Sequence, residues 1–290
     1  MRRRKYAITD LDNTISVNFD NTAYVVSQMD LGSIDANLSS YSGAGQYGAT
    51  ITSRSFGTRD VVIEGHILAN DKETMDNRKE ILQKITAPTG DFYLVVDDYR
   101  IRLTANSTIE YSKDWFRNNE YLTSFTIDAV AANPFFETYT PRTANITGWV
   151  SDFHFPFYNE VGQRFTTGHR SESKIVDVYN DSEVETGLII SFKAIGGTIV
   201  KPKLENVVDN TFIKINSTIQ SGEEVIINTN YGRKSIINAT TKENWLKHLD
   251  LNSTWLQMPV GLSSFKFDYE PSSTGTLECN ATYLPQRIEV

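Results

Sequence analysis

A single cysteine, Cys279, in 290 residues excludes a disulfide framework and leaves no thiolate set for a structural zinc. Histidine is nearly as scarce, and His66, His154, His169 and His248 stand at no metal-ligand spacing. No apolar run approaches the roughly 18 residues of a membrane helix. The start, Met1-Arg-Arg-Arg-Lys5, leads into Tyr-Ala-Ile-Thr-Asp rather than into the apolar stretch of a signal peptide. The expectation is a soluble chain made in the cytoplasm, with no membrane insertion, no metal and no cofactor. Positive charge is short too: 28 Lys and Arg face 36 Asp and Glu, a net of −8. Residues 1–137 hold 14 basic and 19 acidic side chains, and residues 138–290 hold 14 and 17, so the deficits of −5 and −3 are shared. Phosphate binding needs clustered cations. Only Arg2-Arg-Arg-Lys5 clusters them, and a short basic terminus reads as a solvated tail. A Gly-x-Ser-x-Gly elbow and a Walker loop are also missing, which removes the usual acyl- and phosphoryl-transfer templates.

What the chain does have is alternation. With 39% hydrophobic and 11% aromatic residues it can fill two cores. Strands are read at Tyr24-Val-Val26, at Ala49 to Phe56 and at Asp60 to Ile67, the last two expected to pair across Gly57-Thr-Arg59. Ser39 to Gly48 is a flexible Gly/Ser stretch. One helix is expected over Asn70 to Ala87, capped by Asn70 with Glu73 in the reciprocal position, its apolar stripe made of Met75, Ile81, Leu82 and Ile85, and ended by Pro88. Phe92–Val96 and Tyr99–Leu103 read as a hairpin turning at Asp97-Asp98. Tyr121, Thr123, Phe125, Ile127 and Ala129 share one face of a half-buried strand.

Pro134 removes a backbone donor and holds Asn133 extended, so a domain boundary falls after Glu137. Residues 138–172 read as a connector carrying Trp149, Phe153 and Phe155-Pro-Phe-Tyr158. From Ser173, short strands punctuated by glycines return, with one short helical candidate around Glu243 to Leu249. The fold class is all-β and mainly antiparallel: a domain over 1–137 with one helix, the connector, and a second β-sandwich over 173–290.

Three local patterns suggest chemistry. Tyr6-Ala-Ile-Thr-Asp-Leu-Asp-Asn-Thr14 resembles the first motif of haloacid-dehalogenase phosphatases, with Asp10 as nucleophile and Asp12 as acid/base. That fold requires alternating strands and helices, and only one helix is legible here. Gly43-Ala-Gly-Gln-Tyr-Gly48 has the spacing of a dinucleotide loop, but the residues after it favour a strand, so a hairpin tip is expected. Trp245 and Trp255, near Asn244, Asp250 and Asn252, are candidates for a sugar-stacking platform, although tryptophan in a β-sandwich is more often core.

With this organisation the chain resembles the distal tail proteins of long-tailed bacteriophages, the hub component of the siphovirus baseplate. The first half carries the Gly-rich loop leading into Ala49-Thr-Ile-Thr-Ser-Arg-Ser-Phe-Gly57, then Val61-Val-Ile-Glu-Gly-His-Ile67, the capped helix, Asp97-Asp-Tyr-Arg100 and Asn133-Pro-Phe-Phe-Glu137. The second carries Gly197-Thr-Ile-Val-Lys-Pro-Lys-Leu-Glu-Asn206, Gly222-Glu-Glu-Val-Ile-Ile-Asn228 and Trp255-Leu-Gln-Met-Pro-Val-Gly261. The resemblance implies an N-terminal belt domain forming a hexameric ring around the tail channel, and a galectin-like C-terminal sandwich facing outward. It implies a virion tail-tip location, with the tail tube protein and the tail-associated tip protein as partners. A receptor-binding protein or a host cell-wall saccharide is a further contact, and DNA is passing cargo. It brings no catalytic residues. An acidic first domain suits a channel that must not grip phosphate. Tyr41, Gln46 and Tyr47 are expected to lie on an arm reaching the neighbouring subunit. The alternative from another class is a carbohydrate-binding module of a surface-targeting protein.

Overall fold

The computed structural model describes residues 4–146 and 175–290, together with the backbone of 149–151 and 168–170. Two compact units emerge, Met1–Tyr139 with Ile288–Val290, and Thr140–Arg287. The second is therefore an insertion near the end of the first. The aromatic residues Phe153 to Tyr158, His154, and the side chains of Trp149 and His169 lie outside the described residues.

In the first unit the strands are β1 (Tyr6–Asp10), β2 (Ser16–Asn18), β3 (Tyr24–Asp30), β4 (Ala36–Tyr41), β5 (Thr50–Phe56), β6 (Arg59–Leu68), β7 (Asp91–Val96), β8 (Tyr99–Ala105), β9 (Glu110–Tyr111), β10 (Leu122–Ala131) and β11 (Phe136–Thr138). The main sheet runs β2-β1-β7-β8-β10-β6-β3, antiparallel throughout. Strand β10 pairs with β6 from Leu122↔Leu68 to Ala131↔Arg59, but with β8 only at Ala129 and Val130. The sheet divides there into two leaves. Their inward residues, Ile8, Phe92, Leu94 and Ile101 from one and Val61, Ile63, Phe125 and Ile127 from the other, meet in a single core. Gly65 lets the leaf close: a Cβ there would sit 2.5 Å from the Val25 carbonyl oxygen and 2.8 Å from the Phe125 ring.

The helix α1 spans Lys72–Ile85 and lies against β1, β2 and β6. Its cap is Asp71, not Asn70: the Asp71 Oδ1 accepts the Thr74 amide at 2.8 Å and Oδ2 the Thr74 hydroxyl at 2.9 Å. Asp71 is the residue in extended conformation one step before the helix, the position from which a side chain reaches the first-turn amides. Met75, Leu82 and Ile85 are buried, whereas Ile81 lies at the exposed margin of the stripe. The hairpin β7–β8 turns at Asp97-Asp98 as expected, with Asp97 in the left-handed region at φ 52°. The expected pairing of 49–56 with 60–67 is not formed. Both edges of β6 are taken by β3 and β10, and β5 instead pairs with β4.

In the second unit a sheet ordered Arg142–Asn145, Thr276–Tyr283, Ile189–Ile195, Glu224–Asn228, Ser235–Asn238 faces another ordered Ile175–Asn180, Gly261–Asp268, Lys203–Asn206, Thr211–Lys214. Phe192, Val225, Leu277 and Cys279 from the first meet Leu204, Ile213 and Phe265 from the second in one core, which makes this unit a β-sandwich. The helical candidate near Glu243 to Leu249 is a single 3-10 turn, Leu246–His248.

Candidate assembly surface

Asp10 does not present itself for catalysis. Its carboxylate accepts the amides of Thr14 at 2.7 Å and Ile15 at 3.1 Å and bonds the Thr14 hydroxyl, closing the β1–β2 turn. The Thr14 hydroxyl and then the two amides hold its pKa below the ordinary range. Asp12 is exposed in the same turn, and β1 is flanked by antiparallel strands with no helix following. The glycines from Gly43 to Gly48 form the tip of the β4–β5 hairpin, where Gln46 accepts the Gly43 amide at 3.1 Å and donates to Thr50 at 3.1 Å. Cys279 is buried, and desolvation pushes its thiol pKa far up, so it is inert. Among the described residues no three His, Cys, Asp or Glu side chains gather as metal ligands.

Trp245 keeps 7% of its surface and meets His248 edge-on at 5.0 Å, so it has no free face for stacking. Trp255 is half-buried, with the Lys234 ammonium 5.5 Å above its ring and 5.3 Å from that of exposed Tyr231. The Gln257 amide clamps the two loops, donating to the carbonyls of Thr229 at 3.0 Å and Trp255 at 3.3 Å.

Among the described residues, the β4–β5 hairpin is exposed at every strand residue. Register and alternation put Ala36, Leu38, Arg54 and Phe56 on one face together with Ile51, and Asn37, Ser39, Ser53 and Ser55 on the other. The hairpin is thus amphipathic, and among the described residues its apolar side meets the Phe135 ring at its base, 5.4 Å from that of Phe56, and otherwise stays exposed. Tyr41 and Tyr47 near the tip are exposed as well. A two-stranded hairpin is marginally stable in water on its own.

A second patch went unread in the sequence. The 3-10 turn Trp115–Arg117 holds Trp115 at 78% and Phe116 at 83% exposure, with exposed Tyr121 just beyond. The turn is braced on both sides. Asp114 accepts the Phe116 amide at 3.0 Å, while the Asn119 side chain donates to the carbonyls of Trp115 and Phe116 and accepts the amides of Tyr121 and Leu122. The only sequence signal was two adjacent aromatics in the charged run Lys113-Asp-Trp-Phe-Arg117, without the alternation of a strand.

Arg59 is the other feature that local patterning hid. Its side chain is fully buried over the Phe136 ring at 5.0 Å. It donates to the carbonyls of Pro134 (2.9 Å), Leu31 and Gly32 (3.1 Å each) and Ile288 (2.5 Å), and reaches Glu289 at 3.4 Å. One guanidinium thereby ties the β3–β4 link, the Pro134 bend and the last residues of the chain.

Comparison with known proteins follows the same division. Residues 5–128 match the phage tail protein RIFT-related domain, and residues 181–286 match the C-terminal domain of the siphovirus-type tail component. No curated protein matches the chain. Among solved structures the fold is similar to that of the Dit protein of phage SPP1, described as a paradigm of the hub adsorption apparatus in phages infecting Gram-positive bacteria. That likeness has a TM-score of 0.63 at 10% identity, over 97% of this chain and 98% of that one. It is also similar to chains of the phage P2 baseplate in its activated conformation with calcium (TM-score 0.58) and with strontium (0.60), each at 12% identity and over 100% of both chains.

Proposed function

This chain belongs to the Dit-type distal tail proteins of siphoviruses, and we propose from that membership that it acts as a homohexameric ring joining the tail tube protein to the tail-associated tip protein. The protein is a structural component of the virion tail tip and baseplate hub, not an enzyme. The observation that carries the ring is the amphipathic hairpin, every strand residue of which is exposed among the described residues. Tyr41, Gln46 and Tyr47 near its tip are the inter-subunit arm. Closed head-to-tail symmetry leaves no such surface open, and the DNA passes through the central hole as cargo. Electron microscopy of the purified protein tests this: annular particles with a central hole support it, and a monodisperse monomer at high concentration refutes it. Deleting Tyr41 to Gly48 is expected to abolish the rings.

The second unit faces outward in this reading, toward a receptor-binding protein or a cell-wall saccharide. The saccharide contact is supported by the clamped Tyr231–Lys234–Trp255 cluster, since sugars stack on aromatic faces and Trp255 and Tyr231 retain accessible surface. Unchanged tryptophan fluorescence on titration with cell-wall saccharides removes that contact, and leaves the outward unit to protein partners.

A further inference from the structure

We propose that the first unit holds a peptide-binding slot at Arg59, filled by Ile288–Val290 of the same chain and open to the same tripeptide supplied in trans; this stands apart from the ring reading. The hydrogen bonds of Arg59 divide into two sets. Its Nε donates to the Pro134 carbonyl at 2.9 Å, and its Nη1 to those of Leu31 and Gly32 at 3.1 Å each. These acceptors all precede the second unit in the chain, as does Phe136, whose ring lies 5.0 Å from the guanidinium carbon. Gly32 fixes that wall of the slot: it stands at φ 61°, and a Cβ there would lie 2.0 Å from the Asp60 carbonyl oxygen. The two remaining N–H groups are those of Nη2, and both are spent on the last segment, on the Ile288 carbonyl at 2.5 Å and the Glu289 carboxylate at 3.4 Å.

The segment meets this slot as a ligand would. It lies beyond Arg287, the last strand residue among those described, and its covalent path back to the first unit runs through all of Thr140–Arg287, which has a core of its own. Val290 packs against the core of the first unit as an apolar anchor, while the Glu289 side chain is 64% exposed. The Ile288 carbonyl and the valine therefore carry recognition, and the exposed carboxylate adds little. Withdrawing the segment leaves the Nη2 hydrogens of a fully buried arginine unmet, which shifts a folding equilibrium by roughly five- to a hundredfold. The tether supplies the segment at an effective concentration in the millimolar range. A free Ile-Glu-Val tripeptide is accordingly expected to bind the emptied slot with a Kd on the order of 10–200 µM.

A chain ending at Arg287 tests the slot, because the added tripeptide then restores the protein with one peptide bond missing. At about 5 mM Ile-Glu-Val its folded-to-unfolded ratio should rise roughly 25-fold or more, read from urea midpoints. Ile-Gln-Val should act within a few-fold of that. Gly-Glu-Gly should not act, and the same truncation carrying Arg59→Met should not respond. The full-length chain, its slot occupied, should gain little. No rise for the truncated chain, an equal rise for the full-length chain, or an equal rise with Gly-Glu-Gly overturns the proposal. A second readout uses the full-length chain and does not depend on the truncation folding: a dye on Glu289→Cys, with Cys279 silent because its thiol is buried. Millimolar Ile-Glu-Val should free the labelled segment and lower the dye's anisotropy. An anisotropy unchanged up to about 20 mM, well above the effective concentration of the tether, refutes the exchange.

Discussion

Arg59 and Ile288 stand 229 positions apart, and the Nη2 of the first donates to the main-chain carbonyl of the second at 2.5 Å inside the core margin of the first unit. A buried guanidinium is tolerated when its donors are met, and this one spends them on four carbonyls and a carboxylate.

Removing either side of that contact should show in stability. Arg59→Met leaves the carbonyls of Leu31, Gly32, Pro134 and Ile288 without their shared donor and is expected to cost on the order of 3 kcal/mol. Deleting Ile288–Val290 leaves an incompletely paired buried cation, a loss of about 1–3 kcal/mol. Arg59→Lys should rescue little, because a single ammonium does not span the fork. Urea midpoints measure all three. The isolated segment 1–139 should melt below the same segment with Ile288–Val290 attached through a short linker; equal melting would refute the tie.

Helix capping gives a position-specific contrast. Asp71→Ala should cost about 1 kcal/mol, the usual loss for a carboxylate cap, whereas Asn70→Ala should change stability by only a few tenths. A reversed order in chemical denaturation would return the cap to Asn70.

Gly65→Ala forces a methyl into the Val25 carbonyl and the buried Phe125 ring. Overpacking of this kind costs on the order of 1–3 kcal/mol. The β3 amides, which depend on pairing with β6, should lose hydrogen-exchange protection before those of β7 and β8.

Acid should loosen the β1–β2 turn. The folded-state pKa of Asp10 is depressed, chiefly by the Thr14 hydroxyl. Its contribution is therefore present above the unfolded value near ~4 and is lost as pH falls through the lower folded value. Asp10→Asn should flatten the pH dependence of unfolding below about pH 4 and leave it unchanged at neutral pH. An unaltered acid limb would show that the turn does not depend on the charged form.

How much of this was legible depended on sequence distance. The β7–β8 hairpin and the buried face of β10 were written in period-two alternation at Phe92–Val96, Tyr99–Leu103 and Thr123 to Ala129, and α1 in Met75, Leu82 and Ile85. The partner of β5 is not legible locally, because strand pairing is settled by which edges remain open, and those of β6 are filled by β3 and by β10, which begins at Leu122. The Asp10 motif resembles a catalytic one, and is set aside in the sequence only for want of helices, because an Asp at a strand end looks the same whether it attacks a phosphate or closes a turn. Only the hydrogen bonds to Thr14 and Ile15 distinguish them. Arg59 carried no signal, since its partners at 31, 134 and 288 are adjacent only after folding.

The position of Ile288–Val290 also sets an order in time. At roughly 5–20 residues per second, the ~150 residues between Thr138 and Ile288 take on the order of ten to thirty seconds to synthesise. Throughout that interval the strands of the first unit are already made, yet Arg59 waits for its last acceptor. A chain truncated within the second unit is thus expected to present a first unit more open to proteases than a chain that carries Ile288–Val290. Closure of the first unit around Arg59 thus depends on a segment that is synthesised after the whole of the second unit.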